Sequence, residues 1–413
     1  MDSASKKITK WNPYSEGYFD NPYPHLAYCQ ASAPVQIGVN NYYILFKYED
    51  IKQAIKVSDF LTSDISDFFK EKEPYIFKES TACPYLAKSA SKWLMYLDGD
   101  IHKKARTLVE KGLLSFDYEA LTNNAIDEIL IELNTLSVNN EVDLVDVSAK
   151  LPIIITNKIL GIESLLSFNE SKKAAHSLAY SQDLFIPRQV YLAINNDMEF
   201  IFELLSKKLE LLQETPDQSF FSIIIKLNKE LNYNYSNAEL ISIVIVLFLG
   251  SIETSKDTLS MIFHEILHNK NLITTIQNNT KIENNILIEE FLRYSSPLQY
   301  TVRITTSEYE IGGVKIPKNA KLLLCLAAAN RDETVFANAQ HVVANRTYNP
   351  HLAFGAGIHA CIGAKLARIE LRAFIPKIAS FLQKCELNPE KPPVWQKTIL
   401  MRGLKSLNIS INK

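Results

Sequence analysis

The fold of this chain is decided by one stretch of its sequence, Phe354-Gly355-Ala356-Gly357-Ile358-His359-Ala360-Cys361-Ile362-Gly363. Glycine is scarce elsewhere, with 12 in the 413 residues of the chain, yet three fall within this stretch. After it, apolar residues recur at helical spacing, at Ile362, Leu366, Ile369 and Ala373. Cys361 is therefore predicted to lie where a glycine-rich turn enters a helix.

Such a position suits a metal-binding thiolate. The free backbone N–H groups and the positive end of the helix dipole favour the anionic sulfur over the thiol. Glycine lets the backbone approach a flat ligand without a clashing Cβ. A buried cysteine beside a phosphate-type glycine loop would give a similar short pattern, so the residues alone leave both interpretations open.

Size and composition are those of an ordinary globular protein. The 413 residues are 47% hydrophobic and 22% charged, which is enough apolar material for a large core. A formal net charge of -2 gives no field that would attract nucleic acid. The five cysteines are scattered and contain no CxxC pair, which favours a reduced set in the cytoplasm.

No membrane span is predicted. Residues 1–11 are polar and lack the apolar core of a signal peptide. The longest apolar run, residues 240–249, is about half of the roughly 20 residues that cross a bilayer. It indicates a buried helix.

The chain is predicted to be a single domain, 1–413, because no linker, repeat or charge block divides it. Residues 35–38 and 42–47 flank Asn40-Asn41 as in a hairpin, and a second β region spans 302–324 with Gly312-Gly313 as its turn. Helical spacing covers residues 120–136, 147–160, 195–212, 238–268 and 284–294. The fold class is therefore mainly α with small β-sheets, with a β-rich lobe at about 12–60 and 299–325 and a helical lobe at about 95–298 and 361–384.

Residues 62–91 are predicted to form a long ordered loop, and such loops are often functional.

The cysteine stretch resembles the haem signature of the cytochrome P450 family, Phe-x-x-Gly-x-x-x-Cys-x-Gly. Phe354, Gly357, Cys361 and Gly363 match every fixed position. The resemblance implies a triangular helical body with haem b between a long distal helix and the cysteine-bearing helix. It also implies that Cys361 ligates the iron, that Phe354 and Gly355 lie beside the haem, and that His359 lies near a propionate. A thiolate ligand pushes electron density onto the iron and favours O–O cleavage.

A second element resembles the structural brace of the same family. Glu290 and Arg293 stand at i, i+3 on one predicted helix, about 70 residues before the cysteine. Alone, such a pair is usually a solvated surface ion pair. In the family it is buried, is followed by proline as in Ser296-Pro297, and has an arginine as its third member. Alignment leaves open whether His341 or Arg346 takes that place.

Three cations on two further segments match residues that bind the haem propionates in the family. His102 and Arg106 stand at i, i+4 in a helix that resembles the one meeting the haem from the side, and Arg303 follows in a strand. Carboxylates buried at a haem edge need charge-assisted hydrogen bonds. Without the resemblance, a lone His/Arg pair would be interpreted as two solvent-exposed side chains with no specific function.

The predicted long helix carries an acid and an alcohol in Leu249-Gly250-Ser251-Ile252-Glu253-Thr254. A mid-helix threonine usually bonds back to the carbonyl four residues earlier, here that of Gly250. In the family, the acid-alcohol pair instead holds O2 and waters and delivers protons during oxygen activation. Glu253 and Thr254 match it. Ser251 stands where the family usually has glycine, and its hydroxyl is predicted to reach the oxygen groove or the substrate.

The resemblance also implies partners. Electrons are expected from a separate ferredoxin on the proximal face, which carries Lys103, Lys104, Lys111, Lys365 and Arg368, although an ordinary solvated basic face would look the same. A hydrophobic substrate, free or tethered to a carrier protein, is expected beside segments that are largely apolar and aromatic. The candidate pocket residues are Phe77, Tyr85, Leu184, Phe185, Leu247, Phe248, Gly250, Leu298, Gln299, Tyr300, Ile399 and Leu400.

These features predict a monomeric monooxygenase that inserts one atom of O2 into a hydrophobic small molecule, in the biosynthesis of a specialised metabolite. Desaturation, oxidative coupling or peroxide-driven chemistry would use the same haem-thiolate centre. A haem- or ligand-binding protein without turnover would need the pocket but not Glu253 and Thr254. A helical scaffold without haem is the remaining alternative.

Overall fold

The computed structural model describes residues 10–38, 41–57, 60–62, 83–136, 141–184 and 186–412. Its α-helices are α1 (Tyr23–Ser32), α2 (Tyr48–Lys56), α3 (Pro84–Ala90), α4 (Gly99–Leu113), α5 (Tyr118–Asn134), α6 (Leu144–Leu160), α7 (Phe168–Tyr180), α8 (Arg188–Glu214), α9 (Phe220–Glu230), α10 (Asn237–His268), α11 (Asn271–Asn278), α12 (Lys281–Ser295), α13 (Leu326–Ala329) and α14 (Ala364–Gln383). Its strands are β1 (Val35–Ile37), β2 (Tyr43–Leu45), β3 (Glu141–Asp143), β4 (Tyr300–Ile304), β5 (Tyr309–Ile311), β6 (Val314–Ile316), β7 (Lys321–Cys325), β8 (Cys385–Leu387), β9 (Val394–Trp395), β10 (Leu404–Ser406) and β11 (Asn408–Ile411).

The chain divides into two compact units. The first comprises Met1–Leu61, Thr280–Cys361 and Val394–Arg402, and the second comprises Thr62–Asn279, Ile362–Pro393 and Gly403–Lys413. Helix α12 belongs to the first unit, with the β-rich segments, although its sequence pattern groups it with the helical lobe.

The first unit is organised around a four-stranded sheet in the order β1-β2-β7-β4. The predicted N-terminal hairpin is confirmed, since β1 and β2 pair antiparallel with Val35 opposite Leu45. The second β region is confirmed too, and β5 and β6 are joined by Gly312 and Gly313, which have φ of +57° and +74°. Leu322, Leu323 and Leu324 of β7 are all buried, as expected for a central strand that is covered on both faces.

The second unit is a helical body around α10, which contacts α3, α6, α7, α8 and α14. Capping boxes begin α7 and α10, where Ser167 pairs with Glu170 and Ser236 pairs with Glu239. Helix α6 ends at Gly161, which has a left-handed φ of +72°. A small antiparallel sheet in the order β3-β11-β8 completes this unit.

Helix α10 confirms the prediction of a long buried helix. Among the described helices it is the one with the length and mean hydropathy of a membrane span, at 1.8 over its most apolar 18 residues. However, 61% of that window is buried inside the protein, as in the core helix of a folded domain.

The helical predictions are confirmed at the level of element and type. The spacings over 120–136, 147–160, 195–212, 238–268 and 284–294 correspond to α5, α6, α8, α10 and α12. Within the predicted 62–91 loop, α3 forms a short helix, and residues 63–82 lie outside the described residues.

Candidate active site

The segment that contains Cys361 forms a tight loop in the first unit. The backbone N–H of Cys361 donates to the carbonyl of Phe354 at 2.9 Å, and that of Gly355 donates to the carbonyl of Leu352 at 2.9 Å. Between them, Gly357–His359 forms one turn of 3-10 helix. The loop is closed on itself and ends at Cys361, three residues before α14 begins.

Two positions of this loop require glycine, which has no side chain. Gly355 and Gly357 have φ of +64° and +72°, in the left-handed region that other residues rarely adopt. A Cβ on Gly357 would lie 3.1 Å from the carbonyl oxygen of Ile55 in α2. Glycine at these positions therefore allows both the turn and its packing on α2.

Cys361 differs from the other four cysteines in exposure. Its residue is exposed, whereas Cys29, Cys83, Cys325 and Cys385 are buried. Burial raises the pKa of the Cys325 and Cys385 thiols to about 12, which keeps them protonated. Cys361 is thus the accessible cysteine of the five.

In the second unit, α10 is buried over most of its surface, and the middle of the helix leaves one stripe accessible. The stripe repeats at helical spacing and consists of Leu247, Gly250, Ser251, Thr254 and Ser255. Apart from its chain neighbours and the nearby backbone of α10, no atom of the described residues lies within 4 Å of the place where a Cβ on Gly250 would be. The stripe combines Leu247 with small and polar residues, and at Gly250 a flat group can approach the helix closely.

The first turns of α14, which packs against α10, are accessible as well. Leu366 and Ile369 are partly exposed, whereas Phe374 and Ile378 further along the helix are buried. Accessible apolar side chains at such a position form a contact surface for an apolar ligand. Each unit therefore has features that fit a haem: the exposed cysteine and glycine loop in the first, and the accessible surfaces of α10 and α14 in the second.

The cations predicted to bind propionates lie on well-formed elements. His102 is buried on α4, and Arg106, one turn later, donates from Nε to Glu110 at 2.8 Å. Arg303 is buried on β4, where its Nη1 donates to the carbonyl of Val302 at 2.8 Å. His359 lies partly exposed in the 3-10 turn. The structure brings His102 and Arg106 onto adjacent turns of one helix, as their spacing predicts.

Glu290 and Arg293 form a fully buried pair, which removes the surface-pair interpretation. Arg293 donates from Nε and Nη2 to the two carboxylate oxygens of Glu290 at 2.8 and 2.7 Å. Both side chains are 0% exposed. The remaining Arg293 donors bind the carbonyls of Asn330, Ala339 and His341. All five N–H groups of the guanidinium are thereby used.

The third member of this network is Arg346. Its Nε donates to Oε2 of Glu290 at 2.9 Å, whereas His341 contributes only its backbone carbonyl. Glu290 also accepts from the backbone of Val343 at 2.8 Å and from Asn349 at 3.2 Å. The question that alignment left open is therefore resolved by geometry in favour of Arg346.

Glu253 lies in a second buried group of charges. Its Oε1 accepts from Nζ of Lys256 at 2.6 Å and lies 2.9 Å from Nδ1 of His176 in α7. Lys256 also lies 3.3 Å from Asp257. Burial alone would raise the pKa of Glu253, but Lys256 and His176 outweigh it and lower this pKa to about 2. Glu253 is thus a carboxylate at neutral pH.

Thr254 and Ser251, both on the open stripe, direct their hydroxyls to α10 itself. Thr254 donates to the carbonyl of Gly250 at 2.6 Å, and Ser251 donates to that of Leu247 at 2.6 Å. Ser251 is also 2.8 Å from the hydroxyl of Thr156 in α6. The Ser251 hydroxyl therefore links two helices, while its role towards oxygen or substrate stays a prediction.

A further buried carboxyl contacts Ser255, the residue that follows Thr254 in the chain. Glu370 of α14 is buried and shares a hydrogen bond with the side chain of Ser255. Burial raises the pKa of Glu370 to about 8, because the hydrogen bond from Ser255 only partly offsets the loss of solvation. This carboxyl is therefore mostly protonated at neutral pH.

The predicted pocket residues separate into two groups. Tyr85, Leu184, Leu247, Gly250 and Leu298 are at least partly accessible, whereas Phe248, Gln299, Tyr300, Ile399 and Leu400 are buried. Tyr300 in particular is 1% exposed, and its hydroxyl binds Trp11 at 3.0 Å and Tyr18 at 2.8 Å. Its side chain belongs to the core of the first unit. Phe77 and Phe185 lie outside the described residues.

Sequence reasoning missed His176, Lys256, Asp257 and Glu370. A lysine and an aspartate inside an apolar helical run predict a buried ion pair, because charged residues are rarely buried unless they are paired. No comparable signal marks His176, which lies 77 residues from Glu253 in the chain. Glu370 follows the cysteine stretch, but its burial depends on how α14 packs.

Comparison with known proteins adds independent observations. A family model described as Cytochrome P450 matches residues 63–411. A protein of Bacillus subtilis (strain 168) named Cytochrome P450 is 27% identical over 427 residues, which cover 99% of this chain and 100% of that protein. The 6-deoxyerythronolide B hydroxylase of Saccharopolyspora erythraea is 27% identical over 321 residues, covering 76% of this chain and 77% of the hydroxylase.

Among solved structures, P450BioI in complex with hexadec-9Z-enoic acid ligated acyl carrier protein superimposes with a TM-score of 0.84. The match covers 96% of this chain and 100% of that one at 22% sequence identity. At this identity the likeness concerns the fold, and it agrees with the mainly helical class with small sheets that the sequence predicts.

Proposed function

Because this chain belongs to the cytochrome P450 family, we propose that it is a monooxygenase that inserts one oxygen atom from O2 into a hydrophobic small molecule. The family is one of haem-dependent oxidoreductases, and haem b is the form proposed here. The observation that carries the proposal is the signature loop, in which Cys361 is the one exposed cysteine and stands at the entry to α14.

The residues that would hold the haem are those of the loop and of the cationic set. The thiolate of Cys361 would be the axial ligand, with Phe354, Gly355 and Gly363 beside it. His102, Arg106, Arg303 and His359 would bind the propionates through charge-assisted hydrogen bonds. A haem with a thiolate ligand supplies the capacity to cleave the O–O bond.

On α10, the alcohol of Thr254 and the carboxylate of Glu253 are proposed to serve oxygen activation. The Thr254 hydroxyl lies on the open stripe and is held by the carbonyl of Gly250 at 2.6 Å. Rotation about one bond would turn it towards a ligand at the stripe. Ser251 belongs to the same stripe, and its contact with Thr156 holds α10 against α6 there.

The substrate is proposed to be hydrophobic, in the biosynthesis of a specialised metabolite. Support comes from the apolar character of the accessible candidates Leu184, Leu247 and Leu298, and from the similarity to 6-deoxyerythronolide B hydroxylase. A substrate tethered to a carrier protein is the second form we propose. P450BioI, which shares the fold, binds an acyl carrier protein that bears hexadec-9Z-enoic acid.

Electrons are proposed to come from a separate ferredoxin-type protein, and the enzyme is proposed to act as a cytoplasmic monomer. Five cations lie on two helices of the second unit. Lys103, Lys104 and Lys111 of α4 and Lys365 of α14 are exposed, and Arg368 is partly exposed. Such a basic surface would guide an acidic redox partner.

The decisive experiment is the absorption spectrum of the reduced protein with bound carbon monoxide. We expect the strongly red-shifted Soret band of a thiolate-ligated haem, and we expect Cys361→Ala to abolish it. Cys385→Ala is the matched control, because Cys385 follows the other end of α14 and its buried thiol should leave the band unchanged. A red-shifted band that persists in Cys361→Ala would refute the ligand assignment.

Oxygen activation is tested separately. Thr254→Ala is expected to consume reductant with little product, because the alcohol that directs proton delivery is lost. Thr258→Ala is the control, since its hydroxyl makes the same type of bond, to the carbonyl of Thr254 at 2.8 Å, but its side chain is buried. If Thr254→Ala keeps the product yield per reductant of the natural protein, Thr254 has no part in the reaction.

A further inference from the structure

Helix α10 places a buried group of charges directly beside Thr254. Glu253 precedes Thr254 in the chain, and its Oε1 is contacted by Lys256 at 2.6 Å and by His176 at 2.9 Å. Glu253 and Lys256 have side chains that are 1% and 4% exposed, and Asp257 is 0% exposed. Lysine in this position is thus enclosed between two carboxylates of its own helix.

His176 is the member of this group that reaches solvent. Its side chain is 47% exposed, in contrast to the three buried charges on α10. Other groups on the elements that pack there are already engaged: Lys173 of α7 binds Asp197 of α8 at 2.7 Å, and the Tyr180 ring stacks on His176 at 6.2 Å. Solvent protons therefore meet the group at the imidazole.

The two neighbouring carboxylates keep the buried ammonium of Lys256 charged. Burial would lower the pKa of the Lys256 ammonium, but Asp257 and Glu253 raise it above its ordinary value. The ammonium therefore stays charged and binds one oxygen of Glu253. The other oxygen, Oε2, is buried and makes no hydrogen bond with the described residues. Oε1 of Glu253 is therefore held by Lys256, and Oε2 can still accept a hydrogen bond.

The C-terminal segment also contacts this group of charges. A Cβ on Gly403 would overlap the carboxylate of Asp257, so the backbone at Gly403 lies against this carboxylate. Asp257 thus lies between Lys256 and the backbone of the C-terminal segment.

We propose that Lys256 is a positioning residue for the Glu253–Thr254 pair, which holds the Glu253 carboxylate against His176 so that protons enter through this imidazole. The inference rests on the proposed oxygenase function. In each transfer the Nδ1 proton of the imidazolium moves to Oε1 of Glu253, the carboxyl then releases a proton towards Thr254 and becomes a carboxylate again, and the neutral ring is reprotonated by solvent. Lys256 donates a hydrogen bond throughout and gives up no proton.

The first test measures the charge of Glu253 without turnover, by infrared spectroscopy of the holoenzyme. In the natural protein, the carbonyl stretch of a protonated Glu253 should be missing at neutral pH. Lys256→Gln keeps a hydrogen-bond donor but removes the charge, so burial should then protonate Glu253 and the band should appear. Glu253→Gln in the same background should remove it, which distinguishes it from the band of protonated Glu370. Lys256→Arg restores a cation and should show no such band.

The second test follows the pH dependence of product formed per reductant consumed. Lys256→Gln should lower this ratio by about tenfold at neutral pH, and Lys256→Arg should recover most of it. His176→Gln should flatten the pH profile, whereas His268→Gln, at the exposed end of the same α10, should leave it unchanged. A purely structural lysine would change stability without moving the profile.

The outcomes separate this inference from the proposed function. If Lys256→Gln shows no Glu253 band, or if His176→Gln keeps the natural pH profile, the positioning role is wrong even though the enzyme hydroxylates. If no substrate is oxidised but the band appears and disappears as described, the oxygenase proposal fails while Lys256 still holds Glu253. Should Lys256→Gln not bind haem, the band in Lys256→Met and the profile of His176→Gln decide the question.

Discussion

Two buried ion pairs in this protein have the same spacing and opposite character. Glu290 and Arg293 in α12, like Glu253 and Lys256 in α10, stand three residues apart on one helix, with all four side chains less than 5% exposed. Around Glu290 every donor of Arg293 is used and both carboxylate oxygens have several partners. Around Glu253 one oxygen has two partners and the other has none among the described residues.

The choice of cation explains much of this difference. The planar guanidinium of arginine presents five donors in a rigid fork and binds a carboxylate through two parallel bonds. The lysine ammonium is a point charge that binds one oxygen and leaves the other available. The Glu290/Arg293 pair, whose hydrogen-bonding groups are all used (the saturated pair), suits a brace. The Glu253/Lys256 pair, which leaves one oxygen unused and contacts the half-exposed His176, suits a group that passes protons.

The largest effect should come from breaking the saturated pair. Glu290→Ala leaves Arg293 and Arg346 as buried cations without their carboxylate, and we expect the unfolding free energy to fall by about 3–5 kcal/mol. Glu289→Ala is the matched control, since the adjacent Glu289 is partly exposed and lies 3.2 Å from His351 rather than between two arginines. Urea unfolding of both variants measures the difference. Equal effects of the two substitutions would contradict the brace.

A smaller effect is expected from the third member of the network. Arg346→Ala removes one charge-assisted bond to Glu290 and should cost about 2 kcal/mol, while His341→Ala should cost almost nothing because only its backbone takes part. The two unfolding midpoints, compared under the same conditions, check this. A larger loss in His341→Ala than in Arg346→Ala would reverse the assignment.

Glu370 extends the comparison of the two ion pairs to a buried carboxyl whose described hydrogen-bond partner, Ser255, is neutral. Its folded pKa of about 8 exceeds the ordinary value of 4.5, so between these pH values the native state holds a proton that the unfolded chain has released. Stability contributed by Glu370 is therefore present at low pH and lost as the pH rises, at about 1.4 kcal/mol per pH unit at most. Glu370→Gln should be free of this loss. Unfolding midpoints of both proteins at several pH values measure it, and parallel pH curves would contradict it.

The smallest effect concerns the hydroxyl pair that joins α10 to α6. Ser251→Ala should cost about 1 kcal/mol through the lost contact with Thr156, and combining it with Thr156→Val should add little. A double-mutant cycle by urea unfolding measures the coupling. A strong loss of product yield with unchanged stability would instead give Ser251 the catalytic role that its sequence position suggests.

Several parts of the site were readable without the structure. The glycine positions, the position of Cys361 before a helix and the Glu290/Arg293 spacing are local in the chain, and local spacing determines which side chains share a turn or a helix face. The hairpin at β1 and β2 and the buried helix α10 follow from the same periodicities. These predictions agree with the structure because each depends on neighbours within a few residues.

Other parts depended on long-range packing. Arg346 rather than His341 completes the brace, 56 residues from Glu290, and His176 meets Glu253 across 77 residues. Tyr300 was expected in the pocket, yet its hydroxyl is bound to Trp11, 289 residues away, and its side chain lies in the core. No periodicity encodes such distances.

The sequence by itself determined the family, the thiolate candidate and the identity of the charges on α12 and α10, because these depend on residue type and local spacing. Only the tertiary structure decided how completely each buried carboxylate is satisfied, since that number is set by donors from distant segments. For Glu290 those donors fill every position, and for Glu253 they leave one oxygen available and one route to solvent through His176.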